Sequence, residues 1–131
     1  MAEENVEILR RIYADWAEGN FASGTELYDE HLVLVLRPEF MDAGAYSGMR
    51  EMQRYMRAFL EGWEVVTIEA THLRAAGDTV LARVMQRGTG VSSRAPVEQP
   101  YYQLWTFRGG KVIRIESIID EPEALQAAGL A

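Results

Sequence analysis

The chain has 131 residues, no cysteine, a formal charge of −7, and 48% apolar against 25% charged residues. That length and balance describe one ordinary globular domain able to bury its own core. The missing cysteine excludes disulfides, thiolate nucleophiles and cysteine metal sites. An acidic chain with no basic cluster longer than Arg10-Arg11 is also a poor partner for nucleic acid, whose phosphates demand a positive face.

The N-terminus, Met1-Ala2-Glu3-Glu4-Asn5, is acidic and leads straight into an amphipathic pattern. Without a basic n-region, an apolar h-region or any run near the roughly 18 apolar residues of a membrane span, the expected location is the cytoplasm, with no membrane partner. Val6, Leu9, Ile12, Tyr13 and Trp16 recur at helical spacing and predict a helix over about residues 4–18, ended by Gly19-Asn20. Phe21 to Tyr28 reads as a second, shorter helix. His31 to Leu36 is a strand closed by Arg37-Pro38, since proline ends strand pairing. Residues 39–48 are expected to form a loop.

Met49, Met52, Tyr55, Met56, Phe59, Leu60 and Trp63 make the strongest apolar stripe, on a helix of about residues 48–61. Strands follow. Glu64 to Ala75 meets the Gly77-Asp78 turn, Thr79 to Arg87 returns, and Gly88 to Pro96 is a Gly/Ser loop. Tyr101 to Phe107 then runs through the turn Arg108-Gly109-Gly110 into a strand from Lys111 to Ile119. Asp120 and Glu123 fit the N-terminus of a short helix that stops at Gly129, because an acceptor at the cap satisfies orphan amides. Helices first and a meander of antiparallel strands after them is an α+β pattern.

Strand alternation places Tyr101, Gln103, Trp105 and Phe107 on one face. Three aromatics and an amide read equally as the lining of a small-molecule pocket or as plain core. Tyr13, Trp16, Tyr55, Phe59 and Trp63 on the helices, with Tyr101, Trp105 and Ile119 on the strands, are the candidate ligand-binding residues. Gln103 and Ser117 are the candidate catalytic ones. Hydroxyls, an amide and indole nitrogens converging on an apolar hollow are what a ligand site looks like. By the same alternation Glu116 shares the outer face with Val112, Arg114 and Ile118, where pairing with an arginine is expected. Glu69 can face either way, since Val66, Ile68 and Ala70 make as good a core stripe as Val65 and Thr67. His72 is the histidine that can face inward. His31 and His72 lie on separate strands with no carboxylate at ligand spacing, so no metal site is expected. Gly88-Thr89-Gly90 and Gly109-Gly110 lack the strand-to-helix setting of a phosphate loop.

Tyr46-Ser47-Gly48 before the long helix, Ala76-Gly77-Asp78-Thr79-Val80 at the first hairpin, Trp105 to Lys111 at the second, Val112 to Asp120 and Glu123 to Leu130 together resemble the nuclear transport factor 2-like superfamily. The closest likeness is to its SnoaL-like polyketide cyclase and ketosteroid isomerase-like branch, over essentially the whole chain as a single domain of residues 1–131. The resemblance implies a cone-shaped, curved antiparallel sheet (a half-barrel) wrapped on N-terminal helices, with a short C-terminal helix. It also implies an apolar cavity, no cofactor, and a homodimer through the sheet's outer face. It does not imply one reaction. Laid on the steroid isomerase pattern, Gln103 falls where an oxyanion-binding aspartic acid stands. The base position falls at Leu36 or Arg37, and Tyr13 is one residue out of register with the tyrosine position at Ile12. Laid on the cyclases, the last-strand aspartate is replaced by Ser117.

Three functions therefore stand side by side. One is an isomerase, cyclase or hydrolase of an apolar, oxygen-bearing compound. The second is a non-catalytic binder of such a small apolar molecule, and the third is a dimerisation module whose cavity is filled by its own side chains.

Overall fold

A computed structural model describes residues 2–130. Helix α1 (Ala2–Trp16) carries Glu3 and Glu4 in its first turn, where the unpaired amides favour negative charge. Its Leu9, Ile12, Tyr13 and Trp16 are buried as one stripe. The second helix expected over 21–28 is a single 3-10 turn, Thr25–Leu27. Gly24 takes φ +88 just before it, and a Cβ there would lie 2.6 Å from Ile12. A left-handed residue pressed on α1 stops any helix from passing through.

Strand β1 (Tyr28–Leu36), a short strand β2 (Gly44–Ser47) and helix α2 (Gly48–Glu61) follow. β2 lies inside the stretch expected to be loop. It is four residues long and mostly exposed, so it carries no alternation to read. The remaining strands are β3 (Trp63–Ala76), β4 (Thr79–Gly90), β5 (Pro96–Arg108) and β6 (Lys111–Ile118), and helix α3 (Glu121–Ala127) ends the fold. The Gly/Ser loop between β4 and β5 is shorter than its composition predicts, because both strands run into it and pair Thr89 with Pro96.

The six strands form one open sheet in the order β2-β1-β6-β5-β4-β3. The expected meander is antiparallel throughout β3 to β6, but β1 joins β6 in parallel, so the sheet is mixed. Its concave face holds the main core, with α1 packed across β3 and α2 across β1. On the convex face α3 covers Leu81, Leu104 and Ile118 with Ala124. Asp120 caps α3, its carboxylate accepting from the Glu123 amide at 3.0 Å.

Two bulges decide which side chains face inward. β3 slips register between Ala70 and His72, and Thr71 is the extra residue. Val66 and Ile68 are buried before the slip, and Leu73 packs on the same core after it. Glu69, alternating with Val66 and Ile68 ahead of the slip, is outward, 3.7 Å from Arg87, and His72 is exposed. The second slip, where Phe107 pairs with Val112 straight after Thr106 pairs with Arg114, moves Val112 into the inner core at 0% exposure. Simple alternation put it outside, and an inserted residue is what reverses alternation. Glu116 is on the outer side as expected, 2.8 Å from the Arg37 guanidinium and 3.5 Å from that of Arg114. Among the described residues no helix is long and apolar enough to cross a membrane.

Candidate functional site

The concave face of the sheet, α2 and the turn segment of residues 37–43 enclose a cavity of about 500 Å³, within the size range of small-molecule sites. Strand β5 runs its length: Val97, Gln99, Tyr101 and Gln103 all line it. Six residues at about 3.3 Å each make this wall roughly 20 Å long. Val97 is exposed at one end, while Gln103 is 6% exposed at the other. Gln103 pairs across the ladder with Ser117 of β6, and Ser117 pairs in turn with Leu36 of β1. Amide and hydroxyl thus sit side by side at the inner end.

Behind this floor the cone is plugged by aromatic rings. Tyr13 stands edge-on to Trp16 and to Trp105, with centroids at 5.3 and 5.9 Å, and Tyr28 closes on Trp105 at 6.3 Å. The Trp105 indole nitrogen donates to the Tyr13 hydroxyl at 2.8 Å, and that hydroxyl donates to Gln103 Oε1 at 2.6 Å. The direction is forced. An indole N–H only donates, so the tyrosine oxygen accepts it, and the buried phenolic proton needs an acceptor in turn. Gln103 therefore presents its oxygen backwards and its NH2 forwards. That NH2, like the Ser117 hydroxyl, has no partner among the described residues and opens on the cavity.

The mouth has the opposite polarity. Asp42 and Glu39, both exposed, line it. The Tyr55 hydroxyl donates to Asp42 Oδ2 at 2.7 Å, and Tyr46 donates to the Asp42 carbonyl at 2.9 Å, tying the turn segment to α2 and β2. Midway along the wall the Tyr101 hydroxyl donates to Gln86 Oε1 at 2.9 Å. Trp63 reaches this end because Gly88 has no side chain; a Cβ there would lie 2.7 Å from its ring. Burial pushes the phenols of Tyr13, Tyr28 and Tyr101 above their ordinary value of 10.0. Tyr55 is raised by burial first and then by donating to Asp42.

Trp16, Tyr55, Phe59, Trp63, Tyr101, Gln103, Ser117 and Ile119 line the cavity. Tyr13 and Trp105, expected at the ligand wall, sit behind it and act on it only through Gln103. His72 faces solvent and contacts Thr71. The Trp16 indole nitrogen is buried without a hydrogen-bond partner. Sequence reasoning missed Glu39, Asp42 and Gln86. The first two lie in irregular backbone, where no periodicity assigns a face. Gln86 continues the inward positions Val80, Ala82 and Val84 of β4, so the same alternation that found Gln103 would have found it. Among the described residues no group of three or more His, Asp or Glu side chains is placed to hold a metal ion.

The SnoaL-like domain profile matches residues 9–115. No curated protein sequence matches the chain. Among solved structures, an NTF2-like protein from Burkholderia thailandensis aligns at 24% identity and TM-score 0.77, over 95% of each chain. A candidate SnoaL-like polyketide cyclase from Jannaschia is similar at 18% identity and TM-score 0.76, over 99% of this chain and 94% of that one. TerC, co-crystallised with polyporic acid, is similar at 16% identity and TM-score 0.75, over 95% of this chain and 98% of the other. At these identities the structural likeness is one of fold.

The buried phenols set the alkaline limit of the fold. Their protons stay bound in the folded state above pH 10 but leave in the unfolded one, so stability is complete below that pH and falls as pH rises through it. Tyr13, Tyr28 and Tyr101 together would lose about 4 kcal/mol per pH unit. Circular dichroism against pH should therefore show steep, cooperative unfolding about one to four pH units above 10, where that loss consumes an ordinary stability of about 5–15 kcal/mol, with most of the phenolate absorbance rising together with it. Ionisation of all six tyrosines in a still-folded protein would contradict the buried placement.

Proposed function

This chain belongs to the SnoaL-like domain family, and on that premise we propose that it binds a small, largely apolar compound and holds one of its carbonyl-type oxygens at Gln103 and Ser117. The observation that carries this reading is the outward-facing NH2 of Gln103, fixed by Tyr13 and Trp105 behind it. That nitrogen has no protein acceptor among the described residues and is not among the fully buried polar atoms, so it is reachable from the cavity, and a ligand oxygen accepting from it in an apolar hollow gains about 0.5–1.5 kcal/mol. The apolar wall of Leu34, Met52, Met56, Phe59 and Ile115 supplies affinity without direction, and the two polar groups at its inner end supply direction.

A panel of aromatic ketones and lactones beside hydrocarbons of the same shape tests this, read by tryptophan fluorescence and calorimetry. Gln103→Leu should weaken ketone binding about 3- to 10-fold, the worth of one neutral hydrogen bond, and leave hydrocarbon binding unchanged. Equal losses for both classes, or no binding by any member, would reject the reading.

A second copy of the chain is the proposed partner for the part of the convex face that α3 leaves open. Val65 is 64% exposed there, beside Arg87, which lies 2.8 Å from Glu98 and 3.7 Å from Glu69. Light scattering should give twice 14.8 kDa, falling to a single chain when Val65 and Arg87 are both changed to Glu. A monomer in the wild type would overturn this.

A further inference from the structure

The charges around the cavity are all of one sign. Glu39 and Asp42 line its mouth, and among the described residues no lysine, arginine or histidine lines it. Glu39 has no hydrogen bond or ion pair among the described residues. Asp42 engages Oδ2 with the Tyr55 hydroxyl and makes no ion pair among the described residues. The nearest cations are otherwise placed. Arg37 is turned to the convex face, 2.8 Å from Glu116 and 4.0 Å from Glu123. Arg54 lines an adjoining hollow with Glu51 and Asp42, and among the described residues it makes no ion pair with either. The whole chain, at −7, adds to the negative field at the opening.

At the other end of the same cavity stand groups of the opposite kind. Gln103, 6% exposed, offers two N–H donors with no acceptor, and Ser117, 3% exposed, offers a hydroxyl. The two ends are joined by the apolar wall along β5. A ligand that satisfies both has an acceptor at its inner end, an apolar body, and a positive charge where it leaves the cavity.

We propose that the cavity is selective for cationic amphiphiles, amines whose apolar body ends in a carbonyl-type oxygen, and that it rejects carboxylates and phosphates of the same shape. This deepens, and rests on, the reading that Gln103 holds a ligand oxygen. The inner donors favour a carbonyl whatever the tail carries; the mouth then sorts ligands by charge. An exposed charge pair changes affinity by up to about fivefold, and like charges repel by as much, so two carboxylates acting on probes of opposite sign separate them by about tenfold or more.

Methyl naphthyl ketone carrying, on its far ring, a propylammonium, an N-acetylated propylamine or a propionate chain separates the two layers of the proposal. The three probes share the ketone and the body and differ in charge. Calorimetric titration of the full chain at low salt should rank them ammonium, then N-acetyl, then propionate. The first and last should differ about 10- to 100-fold, and the gap should narrow in 0.5 M salt as screening sets in. Glu39→Gln with Asp42→Asn should close the gap, bringing the ammonium and propionate probes to the N-acetyl probe's affinity for the same variant; asparagine still accepts from Tyr55, so the mouth keeps its shape. If the N-acetyl probe binds and the ammonium probe binds no better, or the propionate binds equally well, charge selection is wrong and ketone binding stands. If none of the three binds, both layers fall together.

Discussion

Everything at this site depends on one donor that cannot accept. The Trp105 indole N–H is buried with its ring at 0% exposure, and its proton has a single outlet, the Tyr13 hydroxyl. Once that oxygen has accepted, its own proton must go on, and Gln103 Oε1 receives it at 2.6 Å. An amide that has spent its oxygen backwards has only its nitrogen to present forwards. The chemical character of the cavity floor is therefore written two residues behind it, by groups that no ligand touches. Interactions of this kind are strong in a low-dielectric interior and expensive to leave half made. They also span the fold, since Tyr13 comes from the first helix and Gln103 and Trp105 from the fifth strand, so α1 docks on the sheet in one position or leaves three polar groups stranded.

Much of this architecture was legible in the sequence where periodicity is strong. The apolar stripe from Met49 to Trp63 marked α2, and the turn glycines Gly77, Gly109 and Gly110 marked both hairpins, because only glycine takes their positive φ at no steric cost. The shared face of Tyr101, Gln103, Trp105 and Phe107 is also found as read. Alternation failed at Val112 because of a single-residue bulge that leaves no mark in composition, and it could not decide Glu69 because both faces of that stretch carry apolar residues. It was equally silent about the parallel pairing of β1 with β6, which depends on where the chain returns rather than on what it is made of.

The candidate site divides along the same line. Its inner half, Gln103 and Ser117 with the aromatic rings, was readable because it lies on regular strands and helices. Its outer half, Glu39 and Asp42, was not, because it lies on turns whose side chains are aimed by tertiary bonds such as Tyr46 and Tyr55 to Asp42. Tyr13 and Trp105 were found as important but given the wrong office. Counting aromatics on a face shows that they converge, and only the hydrogen-bond directions show which of them stands in front.

The turn segment of residues 37–43 contributes the mouth, yet Glu39, Met41 and Asp42 in it are exposed and outside the core cluster. On the proposed reading, folding energy and ligand choice are thereby held on separate parts of the chain. Substitutions in this short stretch can rewrite what is admitted while the scaffold beneath is left alone, whereas the same number of changes around the rings of α1 would dismantle it. A protein arranged this way is free to drift from one guest to another by small steps, each of them tolerated.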